Sequence, residues 1–432
     1  MKRLRHFLAA TVLLLGLVYF FTQYESTSLS TGPARSHLGT DTLTNTQHTY
    51  DLPGGRSSHE GDKYSTEPLL KDAPASEKFP PTSNIPALDN APNVPASDKI
   101  PLATAESTST PPASFIGFDF QKDLTLNLPV NTFNSLSKHK PHNYNPNGKP
   151  SYTYATFFAS RNPSIEDPYY LAIHSLIYRV LWSQRSKTSH HPFVVFVGDF
   201  VSPQQRALLW GAGALVRELA PLPWNPVDTS VLDRWRDLFA KLNMWNETEF
   251  SRILFLDADA FPIAPIDDMF ELKKEWHCIE TKMQLDDFLP DGEPVCESYI
   301  FAGVPADPYS IFDANINVGS MVFTPNSKQH QRLLQNYLKF DKYDVKMAEQ
   351  AFLNWQFGIN SAYPPGMLER EYGAFFPSEE EHGKLKVVHE KIWAAEGGWM
   401  RQEWDDTWEE MLEYYGSDEF KAARRTDGVA VD

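Results

Sequence analysis

The chain has 432 residues, and its 39 Lys plus Arg against 56 Asp plus Glu give a formal net charge of −17 at pH 7. This acidic balance, which no long basic stretch offsets, argues against a nucleic-acid-binding protein, because such a protein needs basic residues to contact phosphates. Two cysteines are too few for a disulfide-rich scaffold or a cysteine-rich zinc site.

The N-terminus has the layout of a membrane signal. A basic stretch, residues 1–6, precedes an apolar segment, residues 7–21. As a helix this segment covers about 22 Å, less than the ~30 Å hydrocarbon core, so flanking residues must extend it. We predict a cytoplasmic tail over residues 1–6, an uncleaved transmembrane signal-anchor over residues 7–22 and a lumenal C-terminus. A secretory signal that is cleaved off remains the alternative.

Residues 23–150 are predicted to form a disordered stem. They are rich in Pro, Ser, Thr and Asn, whereas all 11 Trp lie at or beyond position 182. Such a segment buries too little apolar area to offset the entropy of ordering it. The stem either holds a catalytic domain away from a membrane or is a plain linker. Residues 151–432 are predicted to form that domain.

The first part of this domain alternates apolar runs with helical patterns. Unbroken apolar runs are typical of strands buried on both faces, and three- and four-residue spacing is typical of helices. The predicted strands are residues 152–159, 192–198 and 214–219. The predicted helices are residues 169–182, a helix from Ser202, and residues 231–245. This order predicts an α/β fold with parallel strands.

A pair of carboxylates follows the next predicted strand, residues 252–256. Asp257 and Asp259 are two residues apart, so in an extended chain their side chains point to the same side. The carboxyl ends of strands in open α/β sheets are where ligands bind. Two adjacent carboxylates repel each other unless a cation lies between them, and oxygen ligands suit Mn²⁺ or Mg²⁺. A solvated turn is the alternative explanation of this motif.

Several motifs together resemble family-eight glycosyltransferases, the glycogenin-like group. The resemblance covers roughly residues 152–393. Its motifs are Arg252-Ile-Leu-Phe-Leu-Asp-Ala-Asp-Ala, Asn315-Ile-Asn-Val-Gly-Ser-Met-Val-Phe, Glu349-Gln-Ala-Phe-Leu-Asn and Lys386-Val-Val-His. Within the family the chain is most similar to fungal membrane-anchored N-acetylglucosaminyltransferases. The resemblance implies a GT-A type, Rossmann-like, mostly parallel sheet with helices on both faces, a nucleotide-sugar donor, Mn²⁺ and retention of anomeric configuration.

The resemblance also implies a metal site and a phosphate contact. Asp257 and Asp259 are the implied metal ligands, with Asp257 also facing the donor, and His389 is the implied third ligand. A histidine at a strand end is otherwise a structural residue. Lys391 is the candidate for the family's diphosphate-binding lysine, although its spacing from His389 departs from the family pattern. The stacking partner of the nucleobase is unassigned, since Tyr169 could serve or could belong to the core with its neighbour Tyr170.

Five further residues match the family's sugar-binding and catalytic positions. Asn317 and Gly319 are implied to bind the donor sugar, because an amide hydrogen-bonds hydroxyls and glycine permits close approach. Gln350, Glu349 and Lys241 are implied to be catalytic. Glu349 stands where glycogenin has Asp, so it either touches sugar or only supports Gln350. Retention proceeds either by front-face displacement or by double displacement through Glu349.

The two cysteines and one sequon bear on the compartment. Cys278 and Cys296 are either disulfide-bonded, as an oxidising lumen would favour, or two free buried thiols. Asn246-Glu-Thr is a glycosylation sequon close to the end of a predicted helix. We expect a single-pass type II Golgi glycosyltransferase that moves N-acetylglucosamine from a UDP-sugar to a mannose-bearing glycan. The alternative is a catalytically silent relative that binds glycans or partners.

Overall fold

The computed structural model describes residues 118–148, 151–227, 235–307 and 314–430. The predicted tail, the predicted signal-anchor and most of the predicted stem lie outside these residues. Among the residues described, no helix combines the length and the apolarity needed to cross a bilayer.

The described chain alternates strands and helices as the sequence predicts. The α-helices are α1 (Val130–Leu136), α2 (Pro168–Leu181), α3 (Pro203–Gly211), α4 (Ser327–Asn336), α5 (Ala348–Gln356), α6 (Gly398–Gly416) and α7 (Asp418–Thr426). The first strands are β1 (Ser151–Phe158), β2 (Phe193–Val197), β3 (Leu215–Glu218), β4 (Phe250–Leu256), β5 (Ala260–Pro262) and β6 (Trp276–His277). The remaining strands are β7 (Ser298–Tyr299), β8 (Phe301–Pro305), β9 (Ile316–Phe323), β10 (Gly366–Met367), β11 (Ala374–Phe375) and β12 (Val387–His389).

The central sheet has the strand order β10-β8-β9-β4-β1-β2-β3. The pairs β1–β2, β1–β4, β2–β3 and β8–β10 are parallel, and only β9 pairs antiparallel, with β4 and β8. In the β4–β9 pair, Leu256 lies opposite Ser320. A smaller sheet, β11-β12-β5, continues from the end of β4. The prediction of an α/β, mostly parallel sheet is confirmed.

Two hydrophobic cores cover the two faces of this sheet. In β4, Leu254 and Leu256 belong to the core that contains α2, whereas Ile253 and Phe255 belong to the core that contains α5. Because successive side chains of a strand point to opposite faces, an unbroken apolar run is what such a strand requires. Helices on both faces, as predicted, follow from this pattern.

The boundary predicted at residue 150 is wrong for residues 118–148, which are folded. Phe133 of α1 is fully buried and packs edge-on against Tyr415, with ring centroids 4.9 Å apart, and stacks on His174. Three leucines upstream, Leu124, Leu126 and Leu128, pack partly buried against the same core. The average composition of the stem concealed this short apolar stretch, whose partners lie far away in the sequence.

The helix predicted over residues 231–245 differs in the structure. Residues 228–234 are outside the described chain, and Leu238–Asn246 forms a 3₁₀ helix rather than an α-helix. Its i→i+3 pattern shows in the hydrogen bond from the Ala240 N–H to the Asp237 carbonyl. This element fills one face of the sheet, with Phe239, Leu242 and Trp245 buried.

A disulfide joins Cys278 to Cys296, with Cα atoms 5.3 Å apart, so the free-thiol alternative is wrong. The bond closes a loop with a sequence separation of 18 between β5 and β8. Arg332 of α4 holds the same loop, because its Nε donates to Asp287 Oδ1 at 2.8 Å.

Candidate functional site

Three potential metal ligands converge where β4 ends. Asp257 follows β4 directly, and its N–H donates to the Gly319 carbonyl of β9 at 2.8 Å. The chain then turns into β5, which pairs antiparallel with β12 and places His389 opposite Ala260. The ligand atoms of Asp257, Asp259 and His389 all lie within 4.8 Å of one another. The three side chains therefore face one point, although Asp259 and His389 are 130 positions apart in the sequence.

Asp259 is held as a carboxylate by two basic side chains. Its Oδ1 lies 3.3 Å from His389 Nε2, and its Oδ2 accepts from Lys391 Nζ at 2.8 Å. Burial opposes the charged form of Asp259, but the contacts with His389 and Lys391 outweigh burial and lower its pKa. Two carboxylates and one imidazole, without a thiolate, suit a divalent ion such as Mn²⁺. The residues present therefore fit the metal that the sequence predicts.

Lys241 lies fully buried between two carboxylates. Its Nζ donates to Asp257 Oδ1 and to Glu349 Oε1, each at 2.8 Å. Burial opposes the charged form of Lys241, but Asp257 and Glu349 outweigh it and raise the pKa of the ammonium group. Lys241 therefore links the predicted metal site to α5 through ion pairs. The Glu349 carboxylate, 5% exposed as a residue, is held by this lysine.

The residues of β9 and α5 fix each other through side-chain hydrogen bonds to the backbone. The Asn317 Oδ1 accepts from the Gly319 N–H at 2.9 Å, and the Gln350 Oε1 accepts from the Val318 N–H at 3.3 Å. Asn354 of α5 accepts from the Ile316 N–H and donates to the Ile316 carbonyl, both at 2.8 Å. These bonds fix the position of β9 against α5.

At Gly319 the backbone of β9 passes close to the candidate metal ligands Asp257 and His389. A Cβ atom at this position would lie 2.8 Å from Asp257 Oδ2 and 2.8 Å from His389 Nε2, and closer still to His389 Cε1. No side chain fits in that space, because real Cβ atoms essentially never approach other atoms this closely. The structure thus gives the predicted substrate-binding Gly319 a steric role beside two candidate ligands.

A cavity of about 1200 Å³ opens in front of this cluster. Five predicted site residues line it: Lys241, Asp257, Asp259, Glu349 and Lys391. The wall does not include Asn317, Gly319, Gln350 or His389. Tyr169 lines the cavity, whereas Tyr170 is buried in the core and donates its hydroxyl hydrogen to the Gln205 carbonyl.

Other cavity residues were missed by the sequence analysis. Arg161 makes a bidentate ion pair with Asp237, at 2.7 and 2.8 Å, and its guanidinium lies 4.3 Å from the Phe200 ring centroid. Gln121, Lys122 and Asp123 form another part of the wall. No local pattern marks these residues, because each contact joins segments that are distant in sequence.

Comparisons with known proteins give relatives of moderate similarity. No protein-family model matches the chain. An uncharacterised protein of Schizosaccharomyces pombe is 26% identical over 319 residues, which is 65% of this chain and 83% of that protein. Galactinol synthase 1 of Solanum lycopersicum is 29% identical over 212 residues, 46% of this chain and 62% of the relative. The chain thus spans less than two thirds of that synthase.

Among solved structures, the glycosyltransferase GlyE of Streptococcus pneumoniae is similar at 18% identity. The match covers 63% of this chain and 64% of that chain, with a TM-score of 0.37, which is too low to carry an inference. The sequence similarity to galactinol synthases supports a glycosyltransferase enzyme.

Proposed function

We propose that the chain is a retaining, metal-dependent glycosyltransferase of the GT-A type that transfers a sugar from a UDP-sugar to a glycan. The observation that carries this proposal is the convergence of Asp257, Asp259 and His389, with ligand atoms within 4.8 Å of one another, beside a cavity of about 1200 Å³. A cavity of this size accommodates more than a drug-sized molecule.

The proposed roles follow from charge and position. Asp257, Asp259 and His389 hold Mn²⁺, which when bound supplies positive charge to the leaving diphosphate. Lys391, on the cavity wall beside Asp259, contacts the diphosphate. Lys241 orients the Asp257 and Glu349 carboxylates through its two 2.8 Å contacts. Gly319 leaves the space that the ligand side chains occupy.

The pairing of Glu349 favours one of the two retaining mechanisms. A carboxylate nucleophile in a double displacement must be free to attack the anomeric carbon. Glu349 is buried, and its carboxylate accepts from the Lys241 ammonium group. This ion pair lowers the nucleophilicity of Glu349. We therefore propose front-face displacement; Asn317 and Gln350, which do not line the cavity, support the site by holding the backbone of β9 through the Gly319 and Val318 N–H groups.

The sugar, the acceptor and the compartment belong to the same proposal. The resemblance to fungal enzymes supports N-acetylglucosamine as the transferred sugar and a mannose-bearing glycan as the acceptor. The basic and apolar segments of residues 1–22 support a single-pass type II protein of the Golgi membrane with a lumenal catalytic domain. The Cys278–Cys296 disulfide supports the same oxidising compartment.

The experiment is a donor screen with the full chain. UDP release is measured from UDP-N-acetylglucosamine, UDP-glucose and UDP-galactose, each with and without a mannose-bearing glycan as acceptor, with Mn²⁺ and with a chelator. Asp259→Asn should lower metal-dependent turnover at least about a hundredfold, because it removes one charged ligand. Asp405→Asn, which changes an exposed carboxylate of α6 that pairs with Arg401, is the matched control and should leave turnover unchanged.

Two results would contradict the proposal. Turnover that survives in Asp259→Asn, or in excess chelator, would remove the metal assignment. Absence of UDP release by the wild-type chain with every donor and acceptor, although Mn²⁺ and UDP bind, would favour the catalytically silent alternative.

A further inference from the structure

A segment upstream of β1 crosses one wall of the cavity. We call residues 118–123 the N-terminal strap. Two hydrogen bonds hold the strap itself: Trp393 Nε1 donates to the Phe120 carbonyl at 3.0 Å, and Asn162 Nδ2 donates to Asp123 Oδ1 at 2.7 Å. A third holds the next residue, because the Leu124 N–H donates to the Glu166 carbonyl at 2.9 Å. The strap therefore connects the segment after β12 with the loop between β1 and α2.

The strap is part of the cavity rather than a covering outside it. Gln121, Lys122 and Asp123 line the cavity together with Asp259 and Lys391. Other parts of the wall come from β1, the 3₁₀ helix and the end of β4. A domain that started at β1 would leave this side of the cavity open.

Phe120 contacts Lys391, the lysine that lies beside the candidate metal ligands. Lys391 Nζ lies 5.3 Å from the centroid of the Phe120 ring, within the range of a cation–π interaction. The same Nζ donates to Asp259 Oδ2 at 2.8 Å. The ammonium group is therefore fixed from two sides, by a carboxylate and by an aromatic ring.

This arrangement limits the freedom of a flexible side chain. Lysine has a four-carbon stem and loses considerable rotamer entropy when it must hold one position. A ring that already restricts the ammonium group reduces the entropy lost when an anion binds. Lys391 is placed two residues after His389, unlike the family's lysine, so the chain has to position it by its own contacts.

We propose that the N-terminal strap completes the donor site and that Phe120 is a positioning residue that holds Lys391 for the diphosphate of the nucleotide sugar. This inference rests on the proposed function, since it takes a nucleoside diphosphate as the ligand of the cavity. It extends that function to residues that precede the catalytic fold.

The test uses the full chain with Phe120→Leu, Phe120→Tyr, Lys391→Ala and the double variant Phe120→Leu/Lys391→Ala. Leu keeps apolar bulk and removes the ring, whereas Tyr keeps the ring. Donor KM and kcat are measured with the active UDP-sugar, and UDP affinity is measured by calorimetry with Mn²⁺. Phe120→Leu should weaken UDP binding and raise donor KM, each about fivefold, with kcat within about twofold of wild type. Phe120→Tyr should keep UDP affinity and donor KM at their wild-type values.

The double variant distinguishes positioning from a general structural effect. If Phe120 acts through Lys391, Phe120→Leu should add almost nothing in the Lys391→Ala background. An equal loss in both backgrounds, or wild-type KM and UDP affinity in Phe120→Leu, would overturn the inference while leaving the proposed function intact. A wild-type chain that releases no UDP and binds none with Mn²⁺ would overturn both.

Discussion

Gly319→Ala is the substitution whose effect the structure defines most directly. The added Cβ would lie 2.8 Å from Asp257 Oδ2 and 2.8 Å from His389 Nε2, whereas ordinary contacts begin at 3.4 Å. The Asp257 oxygen must therefore retreat by about 0.6 Å, and the His389 ring must retreat further because its Cε1 lies closer still to the added Cβ, or β9 must move. Metal–ligand distances tolerate about 0.2 Å. We expect Mn²⁺ affinity to fall at least about tenfold, a loss of the size seen when groups around a metal are disturbed.

The fold should survive this substitution. Overpacking by one methyl group costs about 1–3 kcal/mol, and β9 is anchored on both sides by β4 and β8. Gly366→Ala in β10 is the matched control, because the atoms nearest to its Cβ would be the flexible Lys273 stem and the Ala302 methyl group, at 3.0 and 3.2 Å. It should leave Mn²⁺ affinity unchanged.

The assay is calorimetric titration with Mn²⁺, with circular dichroism and urea unfolding to measure the folded state. A Gly319→Ala protein that is folded and binds Mn²⁺ as wild type does would refute the reasoning, because the cluster would then not be a metal site with this geometry. Loss of affinity in Gly366→Ala as well would show that any change in the sheet disturbs the site.

Three further expectations concern stability and the support of the site. Burial lowers the pKa of His174 from 6.5 to about 3, so the unfolded chain takes up a proton that the folded chain does not. As pH falls from 6.5 towards about 3, the free energy of unfolding should fall by up to about 1.4 kcal/mol per pH unit. His174→Leu should abolish that part of the slope in urea titrations at pH 7 and pH 5. Replacing Cys278 and Cys296 by serine should cost about 3 kcal/mol in urea unfolding, and no loss would contradict the loop-closure account. Asn354→Ala leaves the Ile316 N–H and carbonyl without their 2.8 Å partners, so it should destabilise the fold by about 2 kcal/mol and raise donor KM. Asn243→Ala, which removes a half-buried amide bonded to the Ala220 carbonyl and to His330 Nε2 outside the cavity wall, should change KM little.

Local sequence patterns predicted the central sheet because its strands are buried on both faces. The apolar run of β4 with Asp257 and Asp259 after it placed two carboxylates at a strand end, and the structure has them there. His389 could not be placed by spacing alone, since β5 and β12 must first pair; the resemblance supplied it. The roles assigned to these residues stay predictions.

Features that depend on distant contacts escaped the sequence analysis. Phe133 lies in a segment whose composition resembles the stem, yet its burial partners, His174 and Tyr415, are 41 and 282 positions away. The Arg161–Asp237 pair joins two segments of the cavity wall that lie 76 positions apart in the sequence. Such contacts are set by tertiary packing, so no window of sequence contains both members.

The antiparallel pairing of β4 with β9 has a consequence for protein engineering. Leu256 lies opposite Ser320 in this pair, and the Asp257 N–H donates to the Gly319 carbonyl. One strand therefore carries the acidic pair at its end, and the other carries the glycine that leaves space for it. A single-residue insertion in β9 ahead of Ser320 would reverse which face each side chain occupies. Chimaeras that exchange segments with a relative should therefore exchange β4 and β9 together, since strands taken from two different proteins would misalign the acidic pair and the glycine.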